Sequence, residues 1–293
     1  ASTGLADRLT RHFSTGIVEV EPDQAFTVAI LLGVAGWVAV ATVARLPVST
    51  THAIVGALLG AGLVEASGSI RWASLTGRVA VPLLVSIAAA FGLASLANAL
   101  GRPGAECVCA QPASALGCLG AVPIRGTAGS TAECRIHRRG PNLLRGLHWL
   151  SSGAASFARG LNDTPKIAAI AAFALVPAGW SPSAVALLVG ASMAVGSVLV
   201  GCRVARRLAE DVVRMDEGEG TRSSVVLSVL VGVGANRGLP MSTTHVATGA
   251  IAGASGGRLA RLDTATLGGF GLAWVTTLPV SAAIAAAALA AVG

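Results

Sequence analysis

Residues 25–44 form a run of twenty residues without a charged side chain. As an α-helix, a run of this length rises about 30 Å, which is the thickness of the hydrocarbon core of a membrane. Further apolar runs cover residues 46–64, 79–100, 183–204 and 264–292. We therefore expect an all-α polytopic membrane protein, because a helix satisfies its own backbone hydrogen bonds in lipid.

The composition supports the same conclusion. Hydrophobic residues make up 53% of the chain, the 37 glycines raise this share to about 66%, and charged residues make up 12%. Soluble domains have roughly 45–50% apolar residues, glycine included, and about 25% charged residues. This excludes a soluble enzyme, a disordered chain and a disulfide-stapled secreted module. The net charge is +7, but eleven arginines lie in two hydrophilic stretches, residues 102–145 and 203–222. Such stretches beside apolar runs are typical of cytoplasmic loops, so the charge does not indicate nucleic-acid binding.

These stretches divide the chain into three parts. We predict that residues 1–100 form the first of two repeats and that residues 101–146 form a hydrophilic cytoplasmic linker. Residues 147–293 form a C-terminal repeat with a charged, solvated loop at residues 203–222.

Prolines are expected to interrupt two apolar runs. Pro165 is placed in a first helical turn, so residues 147–157 and 164–176 are predicted as separate helices. Pro279 lies inside residues 264–292, which we predict as one broken helix or two joined helices.

The cysteines do not form a recognisable metal site. Four lie in the linker and one follows at a predicted helix end, at Cys107, Cys109, Cys118, Cys134 and Cys202. Their spacing lacks the paired short loops that tetrahedral zinc ligation favours. We predict reduced, unpaired thiols and no metal site.

An internal repeat is the most specific signal in the chain. Residues 46–57 and 239–250 are identical at eight of twelve positions and share the pattern Pro-x-Ser-Thr-Thr-His. In the second copy, polar residues 235–245 lie between two short apolar runs, which predicts a re-entrant hairpin. Interrupted hydrophobic segments at matching places of a duplicated membrane protein indicate the substrate site of a transporter.

Each copy places hydroxyl groups at the start of a helix. These residues are Ser49, Thr50 and Thr51 in the first copy and Ser242, Thr243 and Thr244 in the second. Ser and Thr are favoured N-caps, and the first four backbone N–H groups of a helix have no intrahelical acceptor. With the positive end of the helix dipole, these donors favour an anion such as a tetrahedral oxyanion. The alternative is that the hydroxyls only cap buried helices, but their duplication favours binding.

His52 and His245 lie about one turn inside these helices. Each could contact substrate, shuttle protons or support the hairpin, and we assign them a supporting role. Glycines recur four residues apart in both copies and are expected to allow close helix packing, at Gly56, Gly60, Gly249 and Gly253.

Asp163 and Lys166 are the single acid and the single lysine between the two Arg-rich stretches. Ionisable groups in apolar surroundings are costly and usually functional. Asn162 and Asp163 offer oxygen ligands to a small cation, or Asp163 could accept a proton. Either event reduces the repulsion that an anion meets in low dielectric. We therefore favour a coupling-ion or substrate role for this pair over simple helix capping.

The segment Gly160-Leu161-Asn162-Asp163 resembles the Gly-Ala-Asn-Asp signature of the inorganic phosphate transporter (PiT) family. Both Pro-x-Ser-Thr-Thr-His segments resemble the second signature of that family. The resemblance covers nearly all of the chain apart from the two hydrophilic stretches. It implies two inverted repeats with broken helices and re-entrant hairpins, a phosphate site between them, and symport with Na⁺ or H⁺.

The resemblance also implies roles for individual residues. Substrate binding is expected from Ser49, Thr50, Thr51, Asn162, Asp163, Ser242, Thr243 and Thr244. The coupling ion is expected at Asn162, Asp163, Thr50 and Thr243. Independently of the resemblance, we expect a supporting layer behind these ligands from His52, His245 and Lys166.

The chain departs from the family pattern in two ways. The family has an Asn-Asp motif in each repeat, and the separation of 80 residues between Asn162 and Ser242 places the first one near position −31, upstream of Ala1. We therefore expect an incomplete N-terminal repeat, and no transport unless the chain is part of a longer protein. Pro165 and Lys166 also stand where the family commonly has Ala-Asn. Lys166 could replace a bound cation or pair with Asp163.

We therefore predict a secondary active transporter of inorganic phosphate in the plasma (inner) membrane, coupled to Na⁺ or H⁺ and without another cofactor. Its expected partners are phosphate and membrane lipid, with a homodimer left open. The alternatives are a permease for sulfate or another oxyanion, and a non-transporting fragment. A membrane-embedded hydrolase or metal enzyme using His52, His245 and Asp163 is disfavoured, because no helix carries two ligands three or four residues apart.

Overall fold

The structure is a computed structural model that describes residues 17–19, 23–65, 68, 70–100, 142–201, 205, 212, 215, 217–255 and 262–292. The five cysteines and most of the predicted linker lie outside these residues. The described helices are α1 (Gln24–Val43), α2 (Thr50–Glu65), α3 (Val81–Leu100), α4 (Asn142–Leu175), α5 (Pro182–Gly196), α6 (Glu217–Arg237), α7 (Thr243–Ala254) and α8 (Thr264–Val292). A short helix, Trp72–Ser74, and a π-helical segment, Leu75–Ala80, lead into α3, and a second π-helical segment, Ser197–Gly201, follows α5.

Four of the described helical stretches are long and apolar enough to cross a membrane. They are Gln24–Val43, Trp72–Leu100, Pro182–Leu199 and Thr264–Val292. Their outward faces carry exposed Leu and Val side chains, among them Leu84, Leu96, Leu187, Leu199, Leu272 and Val275. Large apolar side chains on the outside of a folded chain are stable against lipid and not against water. The predicted all-α membrane fold is confirmed.

Two predicted helix interruptions are wrong. Helix α4 runs through Pro165 and α8 runs through Pro279 without a break. Each proline removes one hydrogen bond, but ending the helix in an apolar environment would leave several backbone groups unpaired. Asn162 and Asp163 consequently lie inside a helix of 34 residues and not at its N-terminus.

The ends of both predicted hydrophilic stretches are helical. Residues 217–222 of the predicted charged loop form the beginning of α6, and Glu219 is buried there. Residues 142–146 of the predicted linker likewise begin α4. Acidic residues are favoured in the first turn of a helix because they complement its dipole. This explains why Glu217 and Glu219 belong to a helix although the surrounding sequence is highly charged.

The two halves end equivalent helices in the same way. After α1, Arg45 has φ 56°, and after α6, Gly238 has φ 72°. In both places the N–H of the next residue donates to a carbonyl five residues earlier at 2.8 Å. A left-handed residue with this bond is a helix C-cap that reverses the chain direction. The duplication therefore includes the left-handed C-cap that precedes each Ser-Thr-Thr segment.

Glycines join the two halves crosswise. In α2, Gly56 and Gly60 lie against the main chain of α8 in the other half. In α7, Gly249 and Gly253 lie against the main chain of α3. A Cβ atom at any of these four positions would meet a main-chain oxygen at less than 3.0 Å. The predicted close packing is confirmed, and it holds each of the short helices α2 and α7 on a long helix of the opposite half. The inverted orientation of the two halves stays a prediction.

Candidate functional site

The helices α2 and α7 begin with equivalent serine caps. The Ser49 hydroxyl accepts a hydrogen bond from the backbone N–H of His52 at 3.2 Å. The Ser242 hydroxyl accepts one from the backbone N–H of His245 at 3.3 Å. Both serines are buried, at 1% and 0% exposure. The predicted N-capping by hydroxyl groups is therefore confirmed in both copies.

The beginnings of these two helices meet inside the protein. The Thr51 hydroxyl donates to the main-chain carbonyl of Met241 at 3.2 Å, and this contact is buried. Met241 directly precedes the cap residue of α7. The two Ser-Thr-Thr clusters therefore face one interior region of the protein and do not point outward.

Helix α4 brings the amide and carboxylate pair to the same place. Asn162 Nδ2 donates to the Met241 carbonyl at 2.8 Å and to Asp163 Oδ1 at 2.8 Å. The Thr243 hydroxyl donates to the other carboxylate oxygen, Asp163 Oδ2, at 3.3 Å. Both members of the pair are buried. The predicted Asn-Asp motif thus connects directly to the second Ser-Thr-Thr cluster.

Lys166 lies at the centre of this group. Its ammonium donates to Thr51 Oγ1 at 2.8 Å, to the Met241 carbonyl at 2.9 Å and to Asp163 Oδ1 at 3.2 Å. Its side chain is fully buried. A buried charge is tolerated when it is paired and all of its hydrogen bonds are satisfied, as they are here. Lys166 therefore touches the polar residues directly and is not separated from them by another layer.

Two polar atoms beside this group are buried without a hydrogen-bond partner among the described residues. They are Asn162 Oδ1, which is an acceptor, and Arg159 Nε, which is a donor. Arg159 lies four residues before Asp163 in α4, so the two side chains share a helix face. An unpaired buried polar group is costly and is expected to have a partner in some functional state.

The two histidines lie close together beside the hairpins. The ring centroids of His52 and His245 are 4.8 Å apart, and those of His245 and Trp274 are 4.1 Å apart. The Trp274 indole N–H donates to the main-chain carbonyl of Pro47 at 3.0 Å. Trp274 therefore links α8 to the segment that precedes α2. The supporting role predicted for both histidines stays a prediction, because His52 Nδ1 and both ring nitrogens of His245 are buried without a hydrogen-bond partner among the described residues.

The remaining predicted residues are placed differently in the two copies. Thr244 is half-buried and its hydroxyl lies 3.1 Å from that of Ser242. Thr50, which occupies the position of Thr243 in the first copy, is also half-buried. The described contacts thus use Thr51 from the first copy and Thr243 from the second, although the sequences are the same.

Sequence reasoning missed three contributors to the site. The Met241 carbonyl accepts from Thr51, Asn162 and Lys166, and no sequence signal distinguishes one backbone carbonyl from the others. Arg159 could have been identified from its spacing of four residues to Asp163, which puts both side chains on one face of a helix. Trp274 carries no local signal, because its partner Pro47 is 227 residues away.

Comparison with known proteins identifies a family for the chain. A model described as the phosphate transporter family matches residues 1–285. A probable low-affinity inorganic phosphate transporter of Rhizobium meliloti (strain 1021) is 26% identical over 283 residues, which cover 93% of this chain and 76% of the relative. A protein of the same description from Mycobacterium tuberculosis (strain ATCC 25618 / H37Rv) is 25% identical over 265 residues, covering 87% of this chain. The chain spans 57% of the length of that mycobacterial relative.

The fold is similar to that of a solved structure described as the sodium-dependent phosphate transporter. The two chains superpose with a TM-score of 0.70 at 19% sequence identity. The match covers 99% of this chain and 87% of the other. At this identity the similarity establishes a shared fold.

Proposed function

Because the chain belongs to the phosphate transporter family, we propose that it moves inorganic phosphate across the plasma membrane by secondary active transport, coupled to Na⁺ or H⁺. The protein is an integral membrane protein and not an enzyme. In the proposed cycle, the site opens alternately to the two sides of the membrane, and the gradient of the coupling ion drives phosphate uptake.

The observation that carries this proposal is the meeting of two duplicated helix starts around one buried polar group. Lys166 donates to Thr51 of α2 and to Asp163, and Asp163 also accepts from Thr243 of α7. Helix N-termini present free backbone N–H groups and a positive dipole end, which together favour phosphate and similar anions. A pair of such ends inside the protein forms a suitable place for a tetrahedral oxyanion.

The charges near the site favour an anion as well. Asp163 contributes one negative charge, whereas Lys166 and Arg159 on the same helix contribute two positive charges. The Lys166 ammonium is paired with Asp163, and the buried Nε of Arg159 is unpaired among the described residues. An incoming phosphate would supply the partner that this N–H lacks, through the planar fork geometry with which arginine binds phosphate.

The acceptors at the site favour phosphate over sulfate. Asn162 Oδ1 is a buried acceptor without a partner in the described part of the chain, and an acceptor requires a donor. At neutral pH phosphate carries at least one O–H group, whereas sulfate carries none. A surplus acceptor beside a carboxylate therefore favours phosphate, which can donate its O–H group to Asn162 Oδ1, over sulfate, which cannot.

Uptake of radiolabelled phosphate into proteoliposomes that contain the full-length protein tests the proposal. Gradients of Na⁺ and of H⁺ are imposed separately, and unlabelled phosphate and sulfate are added as competitors. We expect uptake that depends on a gradient and is suppressed by phosphate at concentrations at which sulfate has no effect. Uptake that does not depend on phosphate, or equal competition by sulfate, contradicts the proposed function.

A further inference from the structure

Lys166 is one of the largest fully buried side chains of the described residues, together with Phe270. Its ammonium uses each of its three N–H donors, toward Thr51 Oγ1, the Met241 carbonyl and Asp163 Oδ1. The three distances lie between 2.8 and 3.2 Å. No hydrophobic contact explains a charged group at such a position, so the group is held by its polar partners.

The partners of this ammonium are the ligands of a small cation. They comprise one hydroxyl oxygen, one main-chain carbonyl oxygen and one carboxylate oxygen. Hard oxygen atoms of these types bind small hard cations, and carbonyls beside interrupted helices bind Na⁺ in secondary transporters. The oxygens also come from three separate elements, namely α2, α4 and the segment between α6 and α7. A cation at this point joins parts of the chain that are distant in sequence.

The residues do not fit a sodium ion while Lys166 is in place. The ammonium already occupies the point between Thr51, Asp163 and Met241. A second cation bound by the same oxygens would lie within a few ångströms of it, where like charges in a low dielectric repel strongly. The solved sodium-dependent phosphate transporter shares the fold, but this site in the present chain carries its own positive charge.

We propose that the Lys166 ammonium is a tethered cation that takes the place of a bound sodium ion, so that phosphate binding at this site does not require Na⁺. The inference rests on the proposed function, since it assumes that phosphate binds beside Asp163. A free ion must be captured from solution, whereas Lys166 is already held within its own helix. A tethered ammonium does not cross the membrane, so this position neutralises charge but supplies no coupling ion.

Substitutions at Lys166 separate its charge from its volume. Lys166→Ala removes the charge and opens the space that a sodium ion needs. Lys166→Met removes the charge but keeps the space filled by a side chain of similar length. Phosphate binding to the purified full chain is measured by isothermal titration in NaCl and in choline chloride of equal ionic strength. Thermal unfolding in the same two salts provides a readout that does not depend on phosphate.

The native chain is expected to bind phosphate with affinities that agree within about twofold in the two salts. Lys166→Ala is expected to bind at least about tenfold more weakly in choline, and Na⁺ is expected to restore binding and raise the Tm. Lys166→Met is expected to bind weakly in both salts, with a Tm that Na⁺ does not change.

Several results overturn the inference. One is a native chain that binds phosphate only in NaCl, which leaves the proposed function intact. Another is a folded Lys166→Ala variant that Na⁺ does not restore. If that variant does not fold, Lys166→Gln replaces it, and the comparison of salts on the native chain still decides. Absence of phosphate binding by the native chain in both salts contradicts the proposed function itself.

Discussion

The Thr51 hydroxyl donates a hydrogen bond to the main-chain carbonyl of Met241 across a separation of 190 residues. This bond joins the first turn of α2 to the residue before the cap of α7. The same hydroxyl accepts from Lys166 at 2.8 Å. A single oxygen atom of Thr51 therefore connects both copies of the repeat to the charged residues of α4.

Replacement of Thr51 by valine tests this connection. Valine has nearly the same shape but leaves one N–H of Lys166 and one lone pair of Met241 without this partner. We expect a loss of about 1.5–3 kcal/mol of stability, because the lost bond involves a charged group. The Tm and the rate of phosphate uptake should both decrease. Thr51→Ser keeps the hydroxyl and should retain most of both properties, and an unchanged Tm for Thr51→Val would show that the bond does not contribute.

The Asp163 carboxylate is expected to be essential. Asp163→Asn leaves the Lys166 ammonium buried without its counter-charge, which costs about 3–5 kcal/mol in comparable pairs. We expect uptake to be abolished and the Tm to fall. The matched control is Asp263→Asn, because the exposed Asp263 caps α8 by accepting from the Thr266 N–H at 2.7 Å, and asparagine caps equally well. Near-normal transport by the Asp163 variant would exclude the role proposed for it.

The crosswise glycine contacts make a prediction about packing. A Cβ on Gly60 would meet the main chain of Ala282 in α8, which cannot move aside like a flexible side chain. Gly60→Ala should therefore destabilise the protein by about 1–3 kcal/mol. Gly92 in α3 has nothing within 4 Å of the added Cβ, so Gly92→Ala should be neutral or stabilising by up to about 1 kcal/mol. Equal Tm values for the two variants would contradict the packing described here.

The left-handed cap after α6 provides an independent test of the backbone between α6 and α7. Gly238 has φ 72°, a conformation that costs other residues roughly 1–2 kcal/mol. Gly238→Ala should lower the Tm, whereas Gly232→Ala inside α6 lacks nearby obstacles and should not. Phosphate uptake at temperatures well below the Tm should change little in either variant. A higher Tm for Gly238→Ala would show that the chain does not take this conformation.

Much of the architecture was predictable because it depends on local patterns. Apolar runs of twenty residues predict membrane helices wherever they occur, and a serine at the start of a helix predicts a cap. Repetition in the sequence marked Ser49 and Ser242 as equivalent, and their caps are equivalent in the structure. The glycines at spacing four likewise indicated close helix contacts.

The remaining features depend on tertiary contacts that the sequence does not encode locally. Proline usually ends a helix, but Pro165 and Pro279 lie within continuous helices, since a helix end inside an apolar environment would cost more. Lys166 was expected behind the binding residues. Its direct contact with Thr51 arises because two elements 115 residues apart pack together.

The most direct measurement is the position of an anomalously scattering phosphate analogue in a crystal of the protein. Arsenate has the shape, charge and protonation of phosphate, and its arsenic atom can be located by diffraction at the absorption edge. We expect one arsenic peak between the N-termini of α2 and α7, within hydrogen-bond reach of a Thr51, Asn162 or Thr243 side chain, and competed away by phosphate. A saturating soak that leaves this position empty, or a peak at another position that phosphate displaces, would contradict the site described here.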